Sequence, residues 1–338
     1  MTGTPPIRLI LHVGLHKSGT STFQLAMRAA YGTPTDGVWF PLMDPPDLGH
    51  ELVAWTLRGT LHDRLRRHTG DDDAPGIAPV HLRSLVSRAA DMGVEALVVS
   101  TEELDDLDEV AAAALRAEIG PAPTTVLLTV TPPAHRWYAN WQESIKHGAI
   151  RRPLDDVPAN AQRSMTAPGL LARQISLLPS DDVIVRLVRP SPPERDLVQS
   201  LLTACGLDPV ATLDVPGPAN VGMGADIELM RRLNALGITA KVGVAERLER
   251  HATFKAAVRR VPRAGAVHPG YGLPHWFDDA ARDELQLLHE LGRRDQVRLV
   301  DPHRLLERWT EAKVPDWIRA IEQSDWPEVP DADLSRPS

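Results

Sequence analysis

The residues best suited to chemistry lie near the amino terminus, in a polar segment that contains a lysine, two glycines and several hydroxyl side chains. Glycines let an anion approach the backbone, and the amide N–H groups at the start of a helix attract negative charge. A lysine adds a mobile positive charge, and hydroxyl groups add hydrogen-bond donors. We therefore predict an anion-binding loop. Its candidate contacts are Gly14, Lys17, Ser18, Gly19, Thr20, Ser21 and Thr22.

The order of these residues distinguishes the loop from the nucleotide-triphosphate loop. That loop has a lysine directly after its second glycine, followed by serine or threonine. Here Lys17 precedes Gly19 by two positions, which argues against a nucleotide kinase. His16 borders the loop, and two interpretations of it stay open. It contacts the reacting group, or it only makes hydrogen bonds within the turn.

The segments on either side of the loop predict how it is positioned. The apolar run Ile7–Val13 is typical of a buried strand, and Phe23, Leu25 and Ala26 begin a helical pattern. A strand that passes through a glycine-containing loop into a helix places the loop at the carboxyl end of the strand. Open α/β sheets bind their ligands there.

A second group of chemically useful residues follows another predicted strand, Ala96–Ser100, which leads into Glu102 and Glu103. A carboxylate at this place is suited to act as a general base toward a hydroxyl or amine. The same carboxylates would also be favoured in the first turn of a helix, where they interact with its dipole. The residues alone leave both interpretations open.

Further apolar runs alternate with helical patterns and therefore predict a three-layer α/β/α fold around a central parallel sheet. One run, Val38–Leu42, contains a proline and is typical of an edge strand. The apolar stripe of Trp137, Trp141 and Ile145 is expected in the core, and Cys205 is expected to be a buried structural thiol. The remaining predicted strands are Thr124–Val130, Asp181–Val188 and Val297–Val300.

Composition limits the functional classes. The chain has 338 residues and a formal net charge of −8, which argues against general affinity for nucleic acid. A single cysteine excludes an internal disulfide framework, and no helical histidine pair suggests a metal site. Without a signal-like or membrane-spanning apolar run, we expect a cytoplasmic soluble protein, with neither nucleic acid nor membrane as a partner.

Several segments resemble the bacterial branch of the sulfotransferase family, which uses 3′-phosphoadenosine-5′-phosphosulfate (PAPS). They are GLHKSGTST at residues 14–22, VVSTEEL at 98–104, PAHRWYANWQESIKHG at 133–148 and RLVDPHRL at 298–305. The resemblance implies a P-loop-type sulfotransferase fold and transfer of a sulfuryl group from PAPS to a hydroxyl or amine of a small molecule in specialised metabolism. It implies that the 5′-phosphosulfate lies in the loop, that Lys17 stabilises the charge that develops on the bridging oxygen, and that Glu102 is the base. His16 stays a candidate contact of the acceptor or the sulfate.

The chain departs from this family where the 3′-phosphate of PAPS is expected to bind. The family's arginine position holds Thr131, and its serine position holds Ala139. Arg136, Arg186 and Arg189 are the candidate replacements. An alternative therefore stays open, in which the fold has lost the ordinary 3′-phosphate site and uses another donor or expels sulfate from a sulfated intermediate during cyclisation. A non-enzymatic binding protein is a further alternative.

The resemblance also implies the domain organisation. We expect a single domain over residues 1–327, with helical insertions on the acceptor side near 150–180 and 224–280. The last segment, residues 328–338, is rich in Asp and Pro and is expected to be a flexible tail.

Overall fold

The computed structural model describes residues 6–15, 18–45, 48–69, 76–146, 175–178, 180–188, 197–208, 231 and 277–300. The strands are β1 (Arg8–Gly14), β2 (Val38–Trp39), β3 (Ala96–Ser100), β4 (Thr124–Val130), β5 (Asp182–Leu187) and β6 (Val297–Val300). The helices are α1 (Thr20–Tyr31), α2 (Glu51–Leu57), α3 (Leu61–Thr69), α4 (Leu82–Asp91), α5 (Glu109–Ile119), α6 (Pro133–Lys146), α7 (Leu197–Ala204) and α8 (Phe277–Leu291). A short 3₁₀ helix spans Glu102–Asp106.

The strands form one six-stranded sheet in the order β2-β3-β1-β4-β5-β6. Every pairing is parallel; in β1, for example, Ile10 is opposite Val98 of β3 and Thr125 of β4. The protein therefore has the predicted α/β fold with a central parallel sheet. The strand β2 covers only Val38–Trp39 of the predicted Val38–Leu42, and Pro41 follows it two residues later. It lies at one edge of the sheet, as the nearby proline predicted.

Both faces of the sheet are covered by helices. Leu9, Leu11 and Val13 of β1 pack into a core that includes residues of α2, α3, α4, α5 and α8. The alternate residue Ile10 packs into a second core, which includes residues of α1 and α7. Because successive side chains of a strand point to opposite faces, this alternation defines three layers and explains why the strands are almost continuously apolar.

The boundaries of most predicted elements are confirmed, with two corrections among the helices. Apolar residues at helical spacing from Leu48 to His68 predict one helix, but the structure has two, because the chain turns at Gly59 with φ +65°. The sequence likewise predicts a helix over residues 105–119, but the helix begins at Glu109, after the 3₁₀ helix. Asp108 caps it by accepting a hydrogen bond of 2.8 Å from the amide of Ala111.

The predicted core residues are also confirmed. Trp137, Trp141 and Ile145 on α6 are fully buried, and Cys205 at the end of α7 is buried, which raises the pKa of its thiol to about 12. No helix within the described ranges is both long and apolar enough to cross a membrane. The tail and most of the two predicted insertions lie outside the described residues.

Candidate functional site at the carboxyl edge of the sheet

The arrangement of the central strands creates a crevice at the carboxyl end of β1. This strand lies between β3 and β4. The chain leaves β1 toward α1 on one face of the sheet, whereas it leaves β3 toward α5 on the opposite face. Such a reversal is where open α/β sheets bind ligands. The predicted anion loop, the two glutamates after β3 and Thr131 after β4 all follow strands at this edge.

The two glycines of the loop are required by its geometry. Gly19 precedes α1 with φ +90°, and a side-chain Cβ there would lie 2.8 Å from Cδ2 of Leu197. A Cβ on Gly14 would overlap the hydroxyl oxygen of Thr20 and would lie 3.0 Å from that of Ser18. The backbone at Gly14 is thus surrounded by hydroxyl groups at a distance that only glycine permits.

The loop has three features of an anion-binding site. The first amide N–H groups of a helix have no acceptor within the helix, and the first turn of α1 contains no acidic residue that would neutralise the positive end of its dipole. Thr20 is only 1% exposed, and its buried hydroxyl oxygen has no hydrogen-bond partner among the described residues. An acceptor from a bound anion would satisfy this hydroxyl.

A buried chain of polar groups supports the loop from below. His12 of β1 contacts the hydroxyl of Ser100 through Nδ1 at 2.7 Å and that of Thr129 through Nε2 at 3.1 Å. The hydroxyl of Thr129 lies 2.7 Å from that of Ser18 in the loop. These contacts connect the ends of three adjacent strands to the loop. His12 therefore belongs to the support of the site, rather than being only an apolar core contact.

Full burial keeps His12 neutral, because desolvation lowers its pKa to about 3. One ring nitrogen must then donate and the other must accept. If Nδ1 donates to Ser100, Thr129 must donate to Nε2, and the contact between Ser18 and Thr129 requires Ser18 to donate. If Nε2 donates to Thr129 instead, Thr129 can donate to Ser18, and the hydroxyl proton of Ser18 is available for another acceptor. The tautomer of His12 thus determines how Ser18 uses its proton.

The end of β3 is held by a second buried histidine. The amide of Ser100 donates to Nδ1 of His50 at 2.8 Å, so Nε2 of His50 carries the proton and donates to the carbonyl of Pro41 at 2.7 Å. Burial lowers the pKa of His50 to about 4. The side chain of Gln24 on α1 donates to the carbonyl of Ser100 at 2.8 Å. These contacts fix β3 against α1 next to the loop.

The two glutamates after β3 have different surroundings. The carboxylate of Glu103 forms ion pairs with Arg58 at 3.3 Å and with Arg64 at 3.5 Å. The amide of Glu103 is capped by the hydroxyl of Thr101 at 3.1 Å. Glu103 therefore stabilises the packing of the 3₁₀ helix against α2 and α3. Glu102 is half-buried in the same turn and remains the candidate general base of the pair.

The residues expected near a 3′-phosphate are arranged differently. The guanidinium of Arg136 is buried, where it forms a bidentate ion pair with Glu284 of α8 and donates to the carbonyl of Thr131 at 2.8 Å. The hydroxyl of Thr131 is buried without a hydrogen-bond partner in the described part of the chain. Arg186 of β5 is also buried and donates to Ser200 at 2.9 Å. A phosphate at this place would have to compete with Glu284 for Arg136.

The structure thus brings some of the predicted site residues together and leaves others undescribed. Gly14, Ser18, Gly19 and Thr20 surround one another in the loop, and Ser21 and Thr22 follow in the first turn of α1. The supporting contacts of His12 and His50 were not predicted from the sequence, although a histidine within an otherwise apolar strand, such as His12, is a usable signal. The predicted site residues His16, Lys17 and Arg189 lie outside the described residues.

Neither a metal site among the described residues nor a matching known protein assigns a function to this chain. Within the described ranges, no three His, Cys, Asp or Glu side chains are grouped so that they could hold a metal ion. No protein-family model matches this chain, and no curated protein matches its sequence significantly. The arrangement of residues at the carboxyl edge of the sheet therefore carries the functional argument.

Proposed function

We propose that this protein is a sulfuryl-transfer enzyme that holds the sulfate group of its substrate in the loop between β1 and α1. The observation that carries the proposal is the buried hydroxyl of Thr20, which has no partner in the described structure and lies over Gly14 at the start of a helix. A helix N-terminus, a backbone without a Cβ and an unsatisfied donor together fit a tetrahedral anion. The resemblance to bacterial sulfotransferases favours sulfate over phosphate.

The roles of the protein groups follow from the charge that such a reaction moves. As the sulfuryl group moves to the acceptor, its S–O bond to the donor breaks and negative charge develops on the bridging oxygen that stays with the donor. The amides and hydroxyls of the loop would stabilise this charge by preorganised hydrogen bonds. Lys17 would add its charge at the same place. Glu102 would accept the proton of the attacking hydroxyl or amine. His16 borders the loop and would contact the reacting groups.

The donor is the part of the proposal on which the structure bears most. PAPS carries a 5′-phosphosulfate, which the loop residues fit, and a 3′-phosphate. For the latter, Thr131 and Ala139 supply no cation, and Arg136 is paired with Glu284. The described residues therefore do not fit the 3′-phosphate in the way the resemblance implies. This observation favours the second candidate function, in which the enzyme uses another sulfated donor or expels sulfate from a sulfated intermediate.

The loop is tested by calorimetric titration with sodium sulfate in the wild type and in Thr20→Val, which keeps the side-chain shape and removes the hydroxyl. A hydrogen bond to a charged group contributes about 1.5–3 kcal/mol, so we expect sulfate affinity to fall roughly 10- to 100-fold. Thr60→Val is the matched control, since the hydroxyl of Thr60 is also buried without a partner in the described structure but belongs to the turn between α2 and α3 and not to the loop. Equal sulfate affinity in the wild type and Thr20→Val would refute the proposed site.

The donor is tested by comparing adenosine 3′,5′-bisphosphate with adenosine 5′-monophosphate in the same titration. If the 3′-phosphate is not recognised, the two affinities should agree within about threefold, because the extra phosphate would gain no buried charge-assisted hydrogen bond. A preference of about 30-fold or more for the bisphosphate would restore PAPS as the donor. It would assign the 3′-phosphate to residues outside the described part of the chain, such as Arg189.

A further inference from the structure

A cavity of about 320 Å³ lies beside the loop, along one face of α1. The α1 residues that line it are Ser21, Gln24, Leu25 and Arg28, whose spacing is that of a single helical face. The opposite wall consists of Phe40, Pro41, Met43, Gly49, His50 and Ser100. A volume of this size is at the lower end of the range for small-molecule sites.

The cavity begins next to the loop and extends toward a cationic side chain. Ser21 is in the first turn of α1, directly after Thr20, and Arg28 is in its last turn. Seven residues of helix at 1.5 Å per residue separate the two positions by about 10 Å. A molecule that enters the cavity with one end at Ser21 therefore has its other end near Arg28.

The walls between these ends are mainly apolar. Leu25 and Phe40 face the cavity, as does Met43, and they offer a surface for an aliphatic or aromatic body. His50 contributes no charge, because burial, and to a smaller degree the positive charge of Arg28, lowers its pKa to about 4. None of the described lining residues is acidic, so the formal charge of the described lining comes from Arg28.

We propose that this cavity binds the acceptor of the sulfuryl group, or the body of the sulfated substrate, and that this molecule carries a carboxylate or similar anionic group. Its reacting hydroxyl or amine lies at the Ser21 end, and its anionic group lies about 10 Å away, at Arg28. The inference rests on the proposed function for the chemistry at the Ser21 end. Complementarity of charge and shape along α1 defines the rest of the molecule.

The test uses two probes that differ only in charge, 4-(4-hydroxyphenyl)butanoate and 4-(4-hydroxyphenyl)butanamide. Both have a hydroxyl at one end and an aromatic body, and the first ends in a carboxylate. Their dissociation constants are measured by NMR titration at low ionic strength, where a partly exposed charge pair is least screened. Because Arg28 is exposed, we expect the wild type to prefer the carboxylate by about two- to fivefold, the effect of one solvent-exposed ion pair.

Three variants locate the source of that preference. Arg28→Gln should abolish the preference for the carboxylate, so that both probes bind equally. Arg28→Lys should keep part of the preference, because the positive charge is retained. Arg83→Gln, an exposed arginine on α4 that does not line the cavity, should keep all of it. Thermal unfolding of each variant verifies that the fold is unchanged.

The inference would be overturned if neither probe binds, if both bind the wild type equally, or if the preference survives in Arg28→Gln. Its failure is distinguishable from that of the proposed function, since the sulfate titration is a separate measurement. Discrimination of the probes without sulfate binding would reject the sulfate site and keep the anionic-ligand cavity. Sulfate binding without discrimination between the probes would keep the sulfate site and reject the anionic-ligand cavity.

Discussion

At Gly19 both backbone conformation and packing restrict the chain. Its φ of +90° is unfavourable for any residue with a Cβ, and Leu197 of α7 lies within 2.8 Å of where that Cβ would be. The position also begins the helix whose amides face the proposed anion. Backbone conformation, packing against Leu197 and the proposed anion binding therefore all require that residue 19 has no side chain.

Replacing Gly19 by alanine should lower both stability and sulfate affinity. The positive φ alone costs about 1–2 kcal/mol, and displacement of Leu197 adds to it. Gly93→Ala is the matched control, since Gly93 also has a positive φ, of +68°, but has nothing within 4 Å of an added Cβ. Urea unfolding and sulfate titration are the two measurements.

We expect Gly93→Ala to lose stability while binding sulfate as the wild type does. Gly19→Ala should lose more stability and also bind sulfate more weakly, because the amides at the start of α1 would be displaced. If the two variants behave alike in both measurements, Gly19 has only a conformational role and the loop is not preorganised for an anion.

At the scale of elements, the contact between α6 and α8 determines what the region after β4 can bind. Arg136 and Glu284 are separated by 148 positions in the chain and meet as a buried bidentate pair whose side chains are each 4% exposed. Buried pairs of this kind are costly to break, since the remaining charge loses its partner in a region of low dielectric constant. The pair therefore fixes α8 against α6 and keeps Arg136 engaged.

Glu284→Gln tests this contact through the free energy of unfolding. Removing one partner of a buried ion pair costs about 3–5 kcal/mol, and we expect a loss near the lower bound because the amide can still accept one hydrogen bond. Asp279→Asn on the same helix is the control. Asp279 pairs with Arg282 at 3.2 Å, but both side chains are exposed, so the change should stay within about 0.5 kcal/mol. Similar losses in the two variants would show that the buried pair contributes no more than a surface pair.

For the molecule as a whole, buried neutral histidines make stability depend on pH. His12 and His50 have pKa values lowered by burial from 6.5 to about 3 and about 4. Between those values and pH 6.5, the unfolded chain binds protons at these residues and the folded chain does not. Stability is therefore fully present above about pH 6.5 and is lost as the pH falls toward 4.

His50→Gln should make the stability less dependent on pH. Each such histidine contributes a slope of about 1.4 kcal/mol per pH unit in this window, so the variant should lose that part between pH 6 and pH 5. Urea unfolding at the two pH values measures the slope. His62→Gln, at an exposed position on α3, is the control and should leave the slope unchanged. An equal slope in the wild type and His50→Gln would contradict a neutral buried His50.

The sequence by itself determined most of the elements and indicated where the candidate site lies. Apolar runs bounded by glycine and proline identified β3, β4 and β6 to the residue, since strands covered on both faces are continuously apolar. The glycine and hydroxyl pattern identified the loop, because backbone conformation at a glycine and capping at a helix start are local properties. Burial of Trp137 and Trp141 followed from their helical spacing.

Only the tertiary structure decided which distant side chains meet. Nothing in the local sequence indicates that Arg136 pairs with Glu284, that His12 connects Ser100 to Thr129, or that Arg28 closes a cavity that begins at Ser21. Such contacts depend on strand order and on the packing of helices far apart in the chain, which periodicity does not encode. Those contacts, and not the loop, bear on whether a 3′-phosphate is bound and on the ligand that fits beside the loop.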